Sequence, residues 1–143
     1  MAEPRALPGV LVRLVRRGGL PGVRTALWTL RAVWSVRRQL TRHDLASVRL
    51  PAPPPGTDAH RSVVLGVLRR TEASCLQRSL VLQRWYAGQR IRRTVVIGVT
   101  APSAGFHAHA WLDGETDAER EEMVEILRHP TPEHWMAGTV QGR

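Results

Sequence analysis

The sequence holds a single cysteine, Cys75, in the stretch 74-SCLQRSLVLQRWYAG-88, and two histidines and a tryptophan downstream in 106-FHAHAWLDG-114. A thiol and an imidazole are the groups that nucleophilic acyl transfer needs: imidazole takes the thiol proton, and the thiolate attacks a carbonyl carbon. The placement of Cys75 favours that use. Ser74 is a preferred N-cap residue, and Gln77 completes an S-x-x-Q capping box, so Cys75 becomes the first residue of a helix. The unpaired N–H groups of a first helical turn and the positive end of its dipole favour an anion. The thiolate is the reactive form of cysteine, and the same N–H groups suit an oxyanion. The plain alternative is a buried, inert cysteine, since this residue type packs well in any core.

The base in this reading is His109. Residues 106–112 form a strand pattern that sets His107, His109 and Trp111 on one face and Phe106, Ala108, Ala110 and Leu112 on the other. Phe106 and Leu112 suit the core, which leaves the histidine face for a site. A half-buried strand histidine with no chemical role is the competing reading. A third makes Cys75, His107 and His109 ligands of a zinc ion. No second cysteine or CxxC pair supports it, so neither a metal nor a cofactor is expected.

The remaining elements must hold these two residues in place. Residues 8–18 read as a short basic amphipathic helix closed by Gly18-Gly19. Residues 21–47 read as a longer helix whose apolar face carries Val23, Leu27, Leu30, Val33, Trp34, Val36 and Leu40, with Asp44 opening a final short turn. The segment 51-PAPPPGTDA-59 is too rich in proline for a helix or a sheet interior and reads as a linker. It divides an N-terminal basic helical region, 1–50, from a core, 60–143. In that core, residues 60–71 are helical by pattern, with Val63, Val64, Val67 and Leu68 inward. The helix after Ser74 ends with Gly88 as its C′ residue. Residues 94–99, TVVIGV, are a buried strand. Asp113-Gly114 is a hairpin turn after the second strand. Residues 117–128 read as a helix with Met123, Ile126 and Leu127 inward, and Trp135 anchors a turn-rich tail. The fold class expected is α+β, with the nucleophile at a helix N-terminus packed on an antiparallel sheet.

At 143 residues and 43% hydrophobic content the chain is long enough for one real core. No apolar run approaches the ~18–20 residues of a membrane span, the N-terminal stretch lacks the pattern of a secretory signal, and a lone cysteine excludes an internal disulfide. These features place the protein in the cytoplasm. The net charge is +9, and arginine supplies all 21 basic residues. That charge favours acidic partners in general. The chain lacks the interleaved aromatics and reading motifs of a nucleic-acid binder, so no nucleic acid is expected.

The order T-x-x-S-C-L-Q-R-S-L-V-L-Q, then V-V-I-G-V, then G-F-x-A-H-A-W-L, between Thr71 and Gly114, resembles the C-terminal domain of lasso-peptide B2 leader peptidases, members of the transglutaminase-like cysteine protease group. The blocks are specific in combination and weak singly. The resemblance implies a papain-like Cys-His-Asp peptidase that removes the leader from a ribosomally made precursor peptide. Cys75 matches the nucleophile and His109 the base. It also implies a separate leader-recognition (B1, PqqD-like) protein as partner, and a lasso cyclase in the same pathway. The third residue departs from the family pattern, because position 121, where the aspartate falls, is Glu. Counting back from a two-residue turn at Asp113-Gly114 pairs Leu112 with Glu115, Trp111 with Thr116 and Ala110 with Asp117, the relation that the family's longer hairpin has. Asp117 is therefore the chosen orienting carboxylate, with Asp113 second. The competing role for Asp117 lies in Thr116-Asp117-Ala118-Glu119, itself a capping box for a following helix.

Trp111 as a cover for the His–carboxylate contact, Arg78 and Arg84 as substrate contacts, and the basic face of residues 12–38 as a seat for an acidic peptide complete the candidates. Two other function classes stay open: a basic nucleic-acid- or peptide-binding or scaffold protein in which Cys75 is structural, and an inactive transglutaminase-like member of a maturation complex.

Overall fold

The computed structural model describes residues 7–101, 103, 105–115 and 118–137. Helix α1 (Leu7–Leu40) is followed by a 3-10 turn at Leu45–Ser47, a second at Thr57–His60, then α2 (Arg61–Arg70) and α3 (Cys75–Gly88). Strands β1 (Val95–Thr100) and β2 (Ala108–Leu112) come next, then a 3-10 turn at Ala118–Glu122, β3 (Met123–His129) and a final turn of helix, α4 (Glu133–Met136). The architecture is α+β, as expected: helices against a three-stranded antiparallel sheet of order β2-β1-β3.

The break expected at Gly18-Gly19 is present as a kink. Gly19 takes φ 60° and ψ −158° within α1, where only glycine is unstrained, and Pro21 restarts the helix. After Pro21 only part of the expected face turns inward: Val33 and Val36 are buried and Leu40 packs against the core, but the rest of the stripe does not. The buried residues are Ala26, Trp28, Ala32, Val33 and Val36 with Thr25 and Thr29, while Leu27, Leu30 and Trp34 lie exposed. Thr25 and Thr29 can face the core because each hydroxyl donates back into its own helix, to the carbonyls of Pro21 and Thr25 at 2.8 Å. Small and β-branched side chains on that face let α1 pack closely on α2 and α3. The helix stops at Leu40 rather than 47, and Asp44 does precede a short 3-10 turn.

One hydrophobic core takes side chains from both sides of the proline-rich segment, among them Val33 and Val36 of α1, Leu68 of α2, Leu80 and Trp85 of α3, Val95, Leu112 and Trp135. The segment itself is bonded to that core. Trp28 Nε1 donates to the Pro51 carbonyl at 3.1 Å and Trp85 Nε1 to that of Thr57 at 3.2 Å, and Arg84 Nε donates to that of Leu50, just before the segment, at 3.3 Å. Gly88 is the last residue of α3, not a left-handed C′ residue; Arg90 takes the positive φ, 64°. The glycine is needed for space, since a Cβ there would stand 2.3 Å from Cγ of Pro53.

Of the helix expected over 117–128, residue 117 lies outside the described residues and the rest is a 3-10 turn and a strand. β3 pairs with the edge of β1 that β2 leaves open, from Val95↔His129 to Thr100↔Met123, with Ile126 as an extra residue where the register shifts opposite Ile97 and Gly98. That ladder satisfies the second side of β1's backbone, which a helix at 117–128 would have left unpaired. Ile126 and Leu127 are accordingly exposed rather than inward. Phe106, expected in the core, is 86% exposed, whereas Leu112 is buried as expected. Gln83 fixes the sheet to α3: its Nε2 donates to the carbonyls of Arg93 at 2.8 Å and His129 at 2.9 Å, just before β1 and at the end of β3.

Candidate active site

The start of α3 is built as the sequence predicts. The Gln77 N–H donates to Ser74 Oγ at 3.2 Å, and the Ser74 N–H donates to Gln77 Oε1 at 3.1 Å, a complete capping box. Cys75 is the first helical residue and is half-buried. Its carbonyl accepts from Ser79 Oγ at 2.8 Å. A residue that the sequence pattern did not single out braces this turn. Arg37 of α1 donates through Nε to Gln77 Oε1 at 3.2 Å and through Nη2 to the carbonyl of Thr71, just before the turn. Its only signal was its position on the flank of α1 that turns toward α3. Glu72, with φ 51°, makes the reversal from α2 into α3.

α3 packs directly on β2, the strand that carries His109. His109 is half-buried and pairs across the ladder with Gly98 of β1. The Trp111 ring stacks on its imidazole, with centroids 6.0 Å apart and an interplanar angle of 23°. Gly98 makes that arrangement possible: a Cβ on it would meet Trp111 Cη2 at 2.8 Å and Cζ3 at 3.0 Å. The glycine of the I-G-V strand is thus the floor on which the indole lies. His109, Trp111 and Gly98 share one face of the sheet, while the register pair Val95 and Leu112 faces the helical core. β2 is an edge strand of the described sheet. His107 is exposed, and its backbone N–H donates to Thr100 Oγ1 at 3.0 Å.

Asp117 lies outside the described residues. The turn from which it was counted is present: the Glu115 N–H donates to the Leu112 carbonyl at 3.2 Å, and Gly114 has φ 90°. Asp113 is engaged elsewhere, its carboxylate 3.2 Å from Arg128 Nη1. It also stands four residues along from His109, about 13 Å at strand rise.

Beside the turn is a polar cluster that sequence reasoning did not anticipate. Glu115 Oε1 accepts from Tyr86 Oη at 2.5 Å and from Arg61 Nη2 at 3.1 Å, tying the turn to α3 and α2. Burial works to raise the Glu115 pKa, but the hydrogen bonds from Tyr86 and Arg61 outweigh it and hold the carboxyl below its ordinary range. Burial, then the neighbouring carboxylate, pushes the Tyr86 hydroxyl up.

Of the other candidates, Arg78 is exposed and Arg84 is buried, with its guanidinium over the Trp135 ring at 5.1 Å, so Arg84 belongs to the core. A cavity of about 610 Å³ lined by Pro53, Thr57, Arg84, Gly88 and Trp135 lies at the C-terminal end of α3, away from Cys75. Among the described residues no group of three His, Cys, Asp or Glu side chains could hold a metal ion, and no helix is long and apolar enough to cross a membrane.

A family model described as the transglutaminase-like superfamily matches residues 10–125, from the first turns of α1 into β3. Comparison with curated proteins and with solved structures returns no match.

Proposed function

The chain belongs to the transglutaminase-like superfamily, which includes cysteine peptidases, and on that premise we propose that it is a cysteine peptidase that removes the leader from a ribosomally synthesised precursor in lasso-peptide biosynthesis. Cys75 is the nucleophile, His109 the base, and Asp117 the carboxylate that orients the imidazole. The observation that carries the reading is the packing of α3, capped at Cys75, on the strand of His109. The spans agree. Gln83 and Tyr86 tie the C-terminal half of α3 to Arg93 and Glu115, at the turn end of β2. Cys75 lies eight residues before Gln83, about 12 Å at helical rise. His109 lies four residues before Asp113, about 13 Å at strand rise. Each residue thus lies a similar distance along its own element from that tied end. His109 leaves β2 on the Trp111 face, so the mechanism requires the imidazole to reach the Cys75 sulfur past the edge of that strand.

His109 takes the Cys75 proton, and the thiolate attacks the carbonyl at the leader–core junction. N–H groups of the first turn of α3 hold the oxyanion. The tetrahedral intermediate collapses with its C–N bond broken and the proton passed from His109 to the leaving amine. Water, deprotonated by His109, then attacks the thioester and regenerates the thiol. A precursor and a separate leader-recognition protein are the partners this reading requires.

The test is cleavage of the precursor in the presence of the recognition protein, followed by mass spectrometry. Wild type should release the leader, Cys75→Ala and His109→Ala should release none, and Asp117→Asn should slow release while Asp113→Asn leaves it near wild type. Full cleavage by Cys75→Ala would reject the mechanism.

A further inference from the structure

The outer face of α1 carries apolar residues that the fold does not use. Leu20, Leu27, Leu30 and Trp34 are 64, 56, 44 and 65% exposed, and Val23 is half-buried between them. Their spacing, 20-23-27-30-34, alternates three and four residues, the seam that an α-helix offers to a second helix. An exposed patch of four large apolar side chains is unusual for a surface with no partner. One flank of the seam is charged: Arg24, Arg31 and Arg38 recur at seven-residue intervals, and all three are exposed. The Arg38 guanidinium lies over the Trp34 ring at 5.6 Å, joining the charged row to the apolar one. The other flank is the molecule itself, where Ala26 and Val33 are buried. At the C-terminal end of the seam a cavity of about 410 Å³ is lined by Arg31, Trp34, Arg38 and Arg42 among others.

We propose that this face docks an amphipathic helix of a partner protein, with apolar residues in the seam and a row of Asp or Glu facing Arg24, Arg31 and Arg38. Charge selects that occupant. The α1 sequence contains no acidic residue, so a second copy of the chain supplies no complement to the arginine row. A membrane-surface helix sets basic residues along both margins of its apolar face; here one margin is arginine and the other is buried against the protein's own core. Trp and Arg, the residues that most often dominate binding energy at interfaces, sit side by side at the C-terminal end of the patch. The proposal stands independently of the peptidase reading, because it uses no residue of that site.

The probe is a three-heptad peptide with Leu in the seam positions and Glu on both flanks, and a matched peptide with Lys on the flanks. Like charges keep each peptide from pairing with itself, so each is free to bind. Fluorescence anisotropy with the full chain should show saturable binding of the Glu peptide, weakened by rising salt. Leu27→Glu and Trp34→Ala should each weaken it by about tenfold or more, the scale of one interface anchor. The triple change of Arg24, Arg31 and Arg38 to Glu should lose the Glu peptide and gain the Lys peptide, a gain that misfolding cannot produce. Four results would overturn the proposal: no saturable binding of the Glu peptide, equal binding of both peptides by wild type, sedimentation of a dimer that Leu27→Glu dissolves, or capture by phosphatidylserine vesicles that Leu27→Glu abolishes while the peptide leaves the face unoccupied.

Discussion

Gly98→Ala tests whether the floor under Trp111 is what holds the His109 region together. The added Cβ would lie 2.8 Å from Trp111 Cη2 and 3.0 Å from both Trp111 Cζ3 and Met123 Cβ. Ordinary carbon contacts lie at about 3.5–4.0 Å, so the indole must retreat by at least about 0.7 Å. Met123 Cβ is fixed to the β3 backbone and cannot give by rotation, so the strand must move as well. Overpacking of this kind costs about 1–3 kcal/mol. Trp111→Phe removes the two indole atoms that clash and by itself leaves a cavity worth about 1–3 kcal/mol. In the double variant each change relieves the other, so its loss should fall short of the sum by about 1 kcal/mol. The Met123 contact keeps the rescue partial. Urea unfolding followed by far-UV circular dichroism gives the four stabilities, and near-UV circular dichroism reports the environment of the displaced indole. Strict additivity, or Gly98→Ala within about 0.5 kcal/mol of wild type, would show that the indole does not lie where the register puts it.

Three further positions probe the supports of the site. Glu115 has its folded pKa below the unfolded value, so its contribution is present above the ordinary carboxylate range and is lost as pH falls through the depressed folded value. The melting-temperature gap between wild type and Glu115→Gln should therefore close on acidification below about pH 4–5, and a gap constant across pH would refute the network. Tyr86 has the opposite sign: its raised pKa gives a contribution intact below about pH 10 and lost above it, so wild type should weaken in alkali where Tyr86→Phe does not. Arg37→Ala removes the donor that braces Gln77 and Thr71, which should cost about 1–2 kcal/mol and change the rate at which iodoacetamide labels Cys75 well below the melting temperature. Arg37→Lys should recover only part of this, because an ammonium cannot span both acceptors as the guanidinium fork does. An unchanged labelling rate in Arg37→Ala would mean that the brace does not reach the thiol.

The elements that sequence revealed well are those whose signals are local. The capping box at Ser74, the β-branched run of β1, the existence of strand β2 and the Gly19-Pro21 break each depend on residues within one turn or one strand. The misreadings come from choices that other parts of the chain make. α1 has two faces that could be buried. The leucine seam is the more apolar, yet the Ala/Thr face packs because small side chains and self-bonded hydroxyls admit close neighbours. Residues 123–127 place Met, Val, Ile and Leu where either period fits, and the open edge of β1 decides for a strand. Gly88 looked like a helix terminator because its real partner, Pro53, is distant in sequence. Arg37 was one arginine among many until its contacts with the start of α3 distinguished it.

The orienting carboxylate shows why partner choice matters more than turn chemistry. The Asp113-Gly114 signal correctly marks a reversal, and the Leu112–Glu115 bond is the first step of the count that reaches Asp117. A reversal does not say which strand the chain joins next. Here the next strand, β3, joins the far edge of β1, about two strand spacings or 10 Å away from β2, so β3 is not the second arm of a hairpin with β2. The proposed triad takes its carboxylate from Asp117, which follows Glu115 in sequence, while Asp113 is held by Arg128 and Glu115 by Tyr86 and Arg61. Turning Glu115 toward the imidazole would take the acceptor from the Tyr86 hydroxyl and Arg61, and turning Asp113 would leave Arg128 with Glu125 alone. That is why the Asp117→Asn and Asp113→Asn pair discriminates: loss of activity confined to the second would place the orienting group at the turn and undo the count.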